Sequence, residues 1–359
     1  MGSPHRIGVV GLGVISKVYL ETLSQAPDAV ITAAADLDPA RAEAVAATLP
    51  SARAVSVGEL LAADDVDVVL NLTIPAAHAE IALAAIASGK DVFGEKPLAA
   101  TFADAQRVMA AAAEAGVRVG SAPDTVLGTG IQTARAVVDA GEIGRPIAAT
   151  AVMATPGHEL WHPNPDFYYQ PGGGPLLDMG PYYVTALVQL LGPVVSVIGA
   201  GSRLRSERVI NTGPRAGEVV KVEVDSHVTG ILEHASGALS TITTSFDSVA
   251  TKAPNIEVHG ETATLIVPDP NNFDGDVQVR RLGSREWDAV APRAGISGAA
   301  RGTGLLDMLR TPEGAVPRAS GAMGLHTLEV MTGLLASARS GSRVTLTTTV
   351  ERPPLVPLA

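Results

Sequence analysis

Gly11-Leu12-Gly13-Val14-Ile15-Ser16 follows the apolar run 6–10, and closely spaced glycines after an apolar run make room for a pyrophosphate. Gly11 permits a tight turn. Gly13 lets the backbone approach phosphates at the start of the next helix, where unpaired N–H groups face an anion. Val14 and Ile15 complete the turn, and Ser16, in the third glycine position, is small enough for close packing. Asp36 comes 23 residues after Gly13, where an acid accepts both ribose hydroxyls of NAD. It repels a 2′-phosphate and so favours NAD over NADP, and Arg41 offsets part of that preference. Two more segments reach the same crevice from strand ends: Asn71 to His78, with Thr73 and Pro75, and Gly94-Glu95-Lys96-Pro97. Pro75 equally suits the first turn of a helix, and His78 equally suits a satisfied helix residue.

A second chemistry-bearing segment spans 157–171. Four of the chain's 12 aromatic residues fall there, in a protein with only 3% aromatics. Rings interleaved with hydrogen-bonding side chains stack on sugar faces and read hydroxyls. His158, Trp161 and His162 are the candidate substrate contacts. The competing reading is a loop that packs its own rings. His158 and His162 lack the H-E-x-x-H pattern and are followed by Pro163, so no metal is expected. Asp124, after Pro123, is a further candidate facing cofactor or substrate.

These residues need elements to hold them. Short β-branched runs at 6–10, 30–35, 66–70, 90–93 and 117–119 alternate with helix-patterned stretches at 14–26, 39–48, 76–88 and 101–115. That alternation predicts a Rossmann-type, doubly wound parallel sheet. Beyond residue 122 the rhythm changes. Helices are expected at 128–140, 176–191 and 321–339. Strand-like runs at 146–155, 194–203, 219–234, 237–247, 255–259, 262–267 and 276–282 lack intervening helices. They predict an open-faced, mostly antiparallel α+β domain with helices on one face. Residues 288–319 read as a long Gly/Pro/Arg-rich loop. A chain of 359 residues is too long for one ordinary core. The expected division is a dinucleotide-binding domain, 1–122, and a substrate-binding and oligomerisation domain, 123–359.

Composition narrows the partners. With 26 Lys+Arg against 37 Asp+Glu the net charge is −11, which argues against nucleic acid or an anionic membrane. The absence of cysteine excludes thiolate nucleophiles and disulfides. There is no long apolar leader, and a soluble cytoplasmic protein is expected.

Gly11-x-Gly13, Thr73-x-Pro75 with His78, and Glu95-Lys96-Pro97 together resemble the Gfo/Idh/MocA oxidoreductases, as does the run Gly172-Gly173-Gly174-Pro175-Leu176-Leu177-Asp178-Met179-Gly180. The resemblance implies a bound NAD or NADP and hydride transfer to or from a sugar, cyclitol or derivative. By position it makes Lys96 the catalytic lysine and Asp178 its acidic partner, with Glu95 and Pro97 shaping the nicotinamide-ribose pocket. Many members carry His four residues after the Asp; here that residue is Tyr182, and Thr185 stands where an acid is often found.

Asp178 and Tyr182, spaced i,i+4 on a helix, point to one side. Tyr182 is the preferred proton carrier, with Lys96 and Asp178 orienting and stabilising charge; the rival gives the proton to Lys96. A redox-neutral enzyme with retained NAD(P), performing glycoside cleavage or sugar–sugar oxidoreduction, and a non-catalytic dinucleotide-binding sensor are the alternative functions. A homodimer or homotetramer is expected through the exposed sheet face, with alternation at Val219 to Val224 as one example.

Overall fold

The computed structural model describes residues 4–312 and 314–359. The chain forms two compact units, one of residues up to Asp124 with Ala299–Leu325, the other of Thr125–Gly298 with His326–Ala359.

The first unit runs β1 (His5–Val10), α1 (Ser16–Ser24), β2 (Ala29–Ala35), α2 (Pro39–Thr48), β3 (Arg53–Ala54), α3 (Val57–Ala62), β4 (Val68–Asn71), α4 (Pro75–Ala87), β5 (Asp91–Gly94), α5 (Phe102–Ala115) and β6 (Val119–Ser121). The sheet order is β3-β2-β1-β4-β5-β6, with every pair parallel. The strand order reverses between β1 and β4, which is where an open α/β sheet binds a dinucleotide. Local chemistry sets the helix starts. Asp38 caps α2 before Pro39, Ser56 and Glu59 form a reciprocal box on α3, and Thr101 caps α5.

The second unit comprises α6 (Thr129–Asp139), β7 (Pro146–Ala154), α7 (Pro175–Leu191), β8 (Val194–Ser202), β9 (Glu207–Val209), β10 (Val219–Lys221), β11 (His227–His234), β12 (Leu239–Ser245), β13 (Ile256–Gly260), β14 (Ala263–Val267), β15 (Val277–Arg281) and β16 (Asp288–Val290). The chain then returns to the first unit for α8 (Thr303–Arg310). Helix α9 (Gly321–Ser340) carries it back, and β17 (Val344–Thr345) closes the sheet. The nine-stranded order is β16-β15-β14-β13-β7-β12-β11-β8-β17. Only the β7–β12 pair among these neighbours is parallel. Helix α7 packs on β7, β11 and β12 and is buried along most of its length.

Four expectations change. The run 219–234 is two strands, because residues 222–226 lie between β10 and β11 outside either strand. Strand β10 pairs with β9 in a separate two-stranded ribbon, so Val219 to Val224 does not belong to the open sheet. The expected loop 288–319 contains β16 and α8. Its α8 residues Leu305, Leu306, Met308 and Leu309 join Ile7, Val9, Tyr19, Leu70 and Phe93 in the core of the first unit. Segment 299–325 therefore groups with the dinucleotide domain.

Candidate active site

In the first unit the loop after β1 is pressed onto the loop after β4. Gly11 has φ +91°, and a Cβ there would lie 2.7 Å from the Leu72 carbonyl carbon and the Thr73 nitrogen. No L side chain fits that position without strain. A Cβ on Gly13 would meet nothing within 4 Å, so its missing side chain leaves open surface before α1. The Ser16 hydroxyl donates to the Gly13 carbonyl at 2.7 Å and closes the turn. Asp36, at the end of β2, accepts the Leu12 N–H at 2.7 Å and the Asp38 N–H at 2.9 Å. Arg41 stands 3.9 Å from it. The carboxylate thus ties the glycine loop down.

Val14, Leu37 and Ile74 are 97%, 98% and 70% exposed beside these three loops. Exposed apolar side chains at the carboxyl ends of β1, β2 and β4 suit the face of a flat heteroaromatic ring. With open backbone at Gly13 and a carboxylate at Asp36, the residues present fit a dinucleotide.

His78 is buried on α4, with Nδ1 2.7 Å from the Pro97 carbonyl and Nε2 3.0 Å from the Thr73 carbonyl. Burial holds its pKa below the usual imidazole value, opposed by those two carbonyls. It acts as a strut between two loops. The Thr73 hydroxyl donates to Asn71 Oδ1 at 2.6 Å, and Pro75 opens α4. Glu95 is buried. Its Oε1 accepts the Tyr19 hydroxyl at 2.7 Å and its Oε2 accepts the Lys96 backbone N–H at 3.0 Å. Lys96 itself is half-buried and joined to Pro97 by a cis peptide.

Asp124 does not present a carboxylate to the surface. It is wholly buried, and its Oδ2 accepts the backbone N–H groups of Gly302 at 2.8 Å and Gly304 at 3.0 Å, at the head of α8. Burial pushes its pKa up to about 6, opposed by the Gly304 N–H and Arg301 and reinforced by Glu95. It is a helix cap, and the expectation that it faces cofactor or substrate fails because its partners are backbone groups 178 and 180 residues away.

In the second unit Asp178 lies in the first turn of α7. Its Oδ2 is 3.0 Å from His158 Nε2. Tyr182 follows one turn later and is buried, and the neighbouring Tyr183 hydroxyl accepts from Asn255 at 2.8 Å. The loop 157–171 is anchored by buried charge. Arg208 donates to Glu159 at 2.7 Å and also pairs with Asp247, while the Tyr169 hydroxyl donates to Glu159. Burial first, then Glu159, raises the Tyr169 pKa well above the phenol range. The rings form a chain from His158 through Trp161 and His162 to Phe167. Its ends differ: His158 is buried, while Trp161 and Phe167 are 59% and 54% exposed.

The sequence reading missed three relationships. These are Tyr19 with Glu95, Asp178 with His158, and Glu159 with Arg208. A tyrosine one turn after Ser16, on the buried face of α1, was the available signal for the first.

Comparison with known proteins fits both units. Residues 5–122 match the model of the oxidoreductase family with an NAD-binding Rossmann fold, and residues 131–266 match the GFO/IDH/MocA C-terminal domain. The chain belongs to the GFO/IDH/MocA oxidoreductases. Among relatives of this GFO/IDH/MocA chain, inositol 2-dehydrogenase 3 of Saccharopolyspora erythraea is 36% identical over 155 residues, 42% of this chain. That alignment spans only 45% of the relative's length. The dTDP-3,4-didehydro-2,6-dideoxy-alpha-D-glucose 3-reductase of Streptomyces antibioticus is 30% identical over 287 residues, 75% of this chain and 85% of that protein. The crystal structure of an NAD binding oxidoreductase from Klebsiella pneumoniae superposes with TM-score 0.84 at 25% identity, covering 96% of this chain and 100% of that one.

Proposed function

We propose that this family member is a nicotinamide-dependent dehydrogenase that moves a hydride between the cofactor and a hydroxyl-bearing carbon of a sugar, cyclitol or sugar derivative. One observation carries the reading. A chain with a dinucleotide-fitted glycine loop also holds a carboxylate–imidazole pair, Asp178 with His158, at the head of α7. The relatives named for inositol and for a deoxysugar support the substrate class. The nicotinamide, when bound, accepts or donates the hydride. The protein's own residues bind, orient and move the proton.

Lys96 is assigned to the reacting oxygen, where its ammonium stabilises alkoxide charge. Tyr182 is assigned the proton, and Asp178 orients it. Asp36 favours NAD over NADP. Trp161, an exposed member of the ring chain, is assigned to the substrate's apolar face.

The open sheet face supports a homo-oligomer, a dimer or tetramer. Ile198 and Ile231 are paired across β8 and β11, both about two-fifths exposed at 41% and 42%, and Leu239 on β12 is 50% exposed. Light scattering at micromolar concentration tests this, and a monomer mass rejects it. Among the described residues no helix is long and apolar enough to cross a membrane. A cytoplasmic site, with its nicotinamide pools, completes the reading, and cell fractionation checks it.

The deciding experiment follows reduced-nicotinamide absorbance with NAD and then NADP across sugars, cyclitols and sugar acids, with Lys96→Ala as control. A rise that depends on Lys96 supports the reading. No change with any substrate overturns net dehydrogenation.

A further inference from the structure

His158 and Asp178 stand 20 residues apart, on a 3-10 turn and on α7. The Asp178 Oδ2 lies 3.0 Å from the His158 Nε2, in the first turn of α7. The imidazole is held on several sides. Its backbone N–H donates to the Tyr169 hydroxyl at 3.1 Å, and its ring meets Tyr168 edge-on at 4.2 Å and Phe246 at 4.4 Å. The next residue, Glu159, is fixed by the buried Arg208. His158 is only 8% exposed, and its Nδ1 is buried without a hydrogen-bond partner among the described residues. A group kept for packing alone would not leave a buried nitrogen unpaired. An imidazole can donate to a carboxylate in either protonation state, which an amide or an aromatic ring cannot combine with a change of charge.

We propose that His158 is a positioning residue for hydride transfer, acting through Asp178: it aims the Asp178 carboxylate and couples its charge to proton transfer at the reacting hydroxyl. The inference rests on the dehydrogenase reading above. In the oxidative direction the substrate carbon gives its hydride to the nicotinamide. Tyr182, as phenolate, takes the hydroxyl proton one turn along α7 and becomes the neutral phenol. The His158–Asp178 pair holds the Asp178 carboxylate in place beside it and takes no proton. The titratable and charged groups around the imidazole are Asp178 on α7, Glu159 and His162 on its own loop, Tyr168 and Tyr169 beyond them, and Arg208 on β9 with its partner Asp247.

The test has two arms. In His158→Gln, an amide N–H replaces the Nε2 donor without a titrating ring. The expected result is a kcat fall of roughly 10²-fold, the effect of a small misplacement at a reacting centre. KM for NAD and the melting temperature stay at wild-type values, and the kcat–pH profile changes shape. Wild-type kcat with an unchanged profile overturns the proposal, as does a melting temperature that falls along with activity. In the second arm, 15N NMR follows the His158 imidazole in wild type and Asp178→Asn. Loss of the facing carboxylate is expected to move the Nε2 resonance, because a charged hydrogen-bond acceptor is replaced by a neutral amide. An unmoved resonance rejects the pair whether or not the enzyme turns over. Failure of every sugar and cyclitol substrate with wild type would sink the dehydrogenase reading instead.

Discussion

The phenol of Tyr19 donates to the buried carboxylate of Glu95 at 2.7 Å, and the same carboxylate receives the backbone N–H of Lys96. The helix that follows the glycine loop therefore helps set the backbone that carries the assigned catalytic lysine. Glu95 is a structural brace here. Tyr19→Phe leaves a buried carboxylate oxygen without its donor and is expected to cost about 1–3 kcal/mol of stability. It should lower kcat more than NAD affinity. Urea unfolding and steady-state kinetics check both, and a variant with wild-type stability would contradict the bond.

Gly11 and Gly13 predict opposite failures. Gly11→Ala places a Cβ 2.7 Å from the β4 loop in left-handed backbone, so it should destabilise the fold. The strained backbone alone costs on the order of 1–3 kcal/mol. Gly13→Ala enters open space and should melt normally while weakening NADH binding. Thermal melts paired with calorimetric titration separate the two, and equal melting losses in both would refute the assignment.

Asp36→Ser removes the charge that repels a 2′-phosphate and leaves Arg41 in place. The NADP-to-NAD ratio of kcat/KM should rise at least about tenfold, since each 1.4 kcal/mol of lost repulsion is a factor of ten. A ratio that does not move would place cofactor choice elsewhere.

Arg208 and Glu159 have side chains only 2% and 6% exposed. Arg208→Met leaves Glu159 charged and buried without its ion-pair partner, and should cost about 3–5 kcal/mol in urea unfolding. Trp161→Ala, at an exposed ring, should leave stability unchanged and raise KM for the sugar substrate. The pair of variants tells an anchoring residue of the loop from a substrate-facing one.

Asp124 gives the stability a pH slope. Its folded pKa of about 6 exceeds the ordinary 3.8, with burial the main cause. The folded state therefore holds the proton more tightly, and its stabilising effect declines as pH rises from about 4 to 6. The whole effect amounts to about 3 kcal/mol, because a tenfold difference in proton affinity is worth roughly 1.4 kcal/mol. Asp124→Asn keeps an acceptor for Gly302 and Gly304 and should remove this part of the slope. Urea midpoints between pH 4 and 7 measure it, and an unchanged slope in the variant would assign it to other groups.

The dinucleotide domain is readable from sequence because its signals are local. Gly11 and Gly13 after an apolar run, and Asp36 at the end of the next, lie within one βαβ unit. Asp178 is readable only through the family resemblance of the glycines and Pro175 that open α7. What escapes the sequence depends on distance along the chain. His158 reaches Asp178 across 20 residues of loop, with no periodicity to mark the pair. Asp124 reads as a site-facing acid because its two N–H donors lie beyond residue 300. Strand β3 and helix α3 are too short for their pattern to stand out, with two and six residues. The eight residues of α8 are hidden by glycine, proline and arginine on either side.

The route of the chain has a consequence for its synthesis. Leu305, Leu306, Met308, Leu309 and Ala319 belong to the core built around Ile7, Tyr19 and Phe93. Domains usually fold as they leave the ribosome, the first-made one first. Here the unit begun first still lacks one wall when strands β7 to β16 of the other have been made. Its last hydrophobic residues, Leu305 to Ala319, follow those strands in the chain. A nascent chain arrested after residue 124 is expected to remain protease-sensitive, and one arrested with 325 residues clear of the exit tunnel to be protected. The nucleotide-holding unit, begun before the other, is completed only after most of the other's strands have been made.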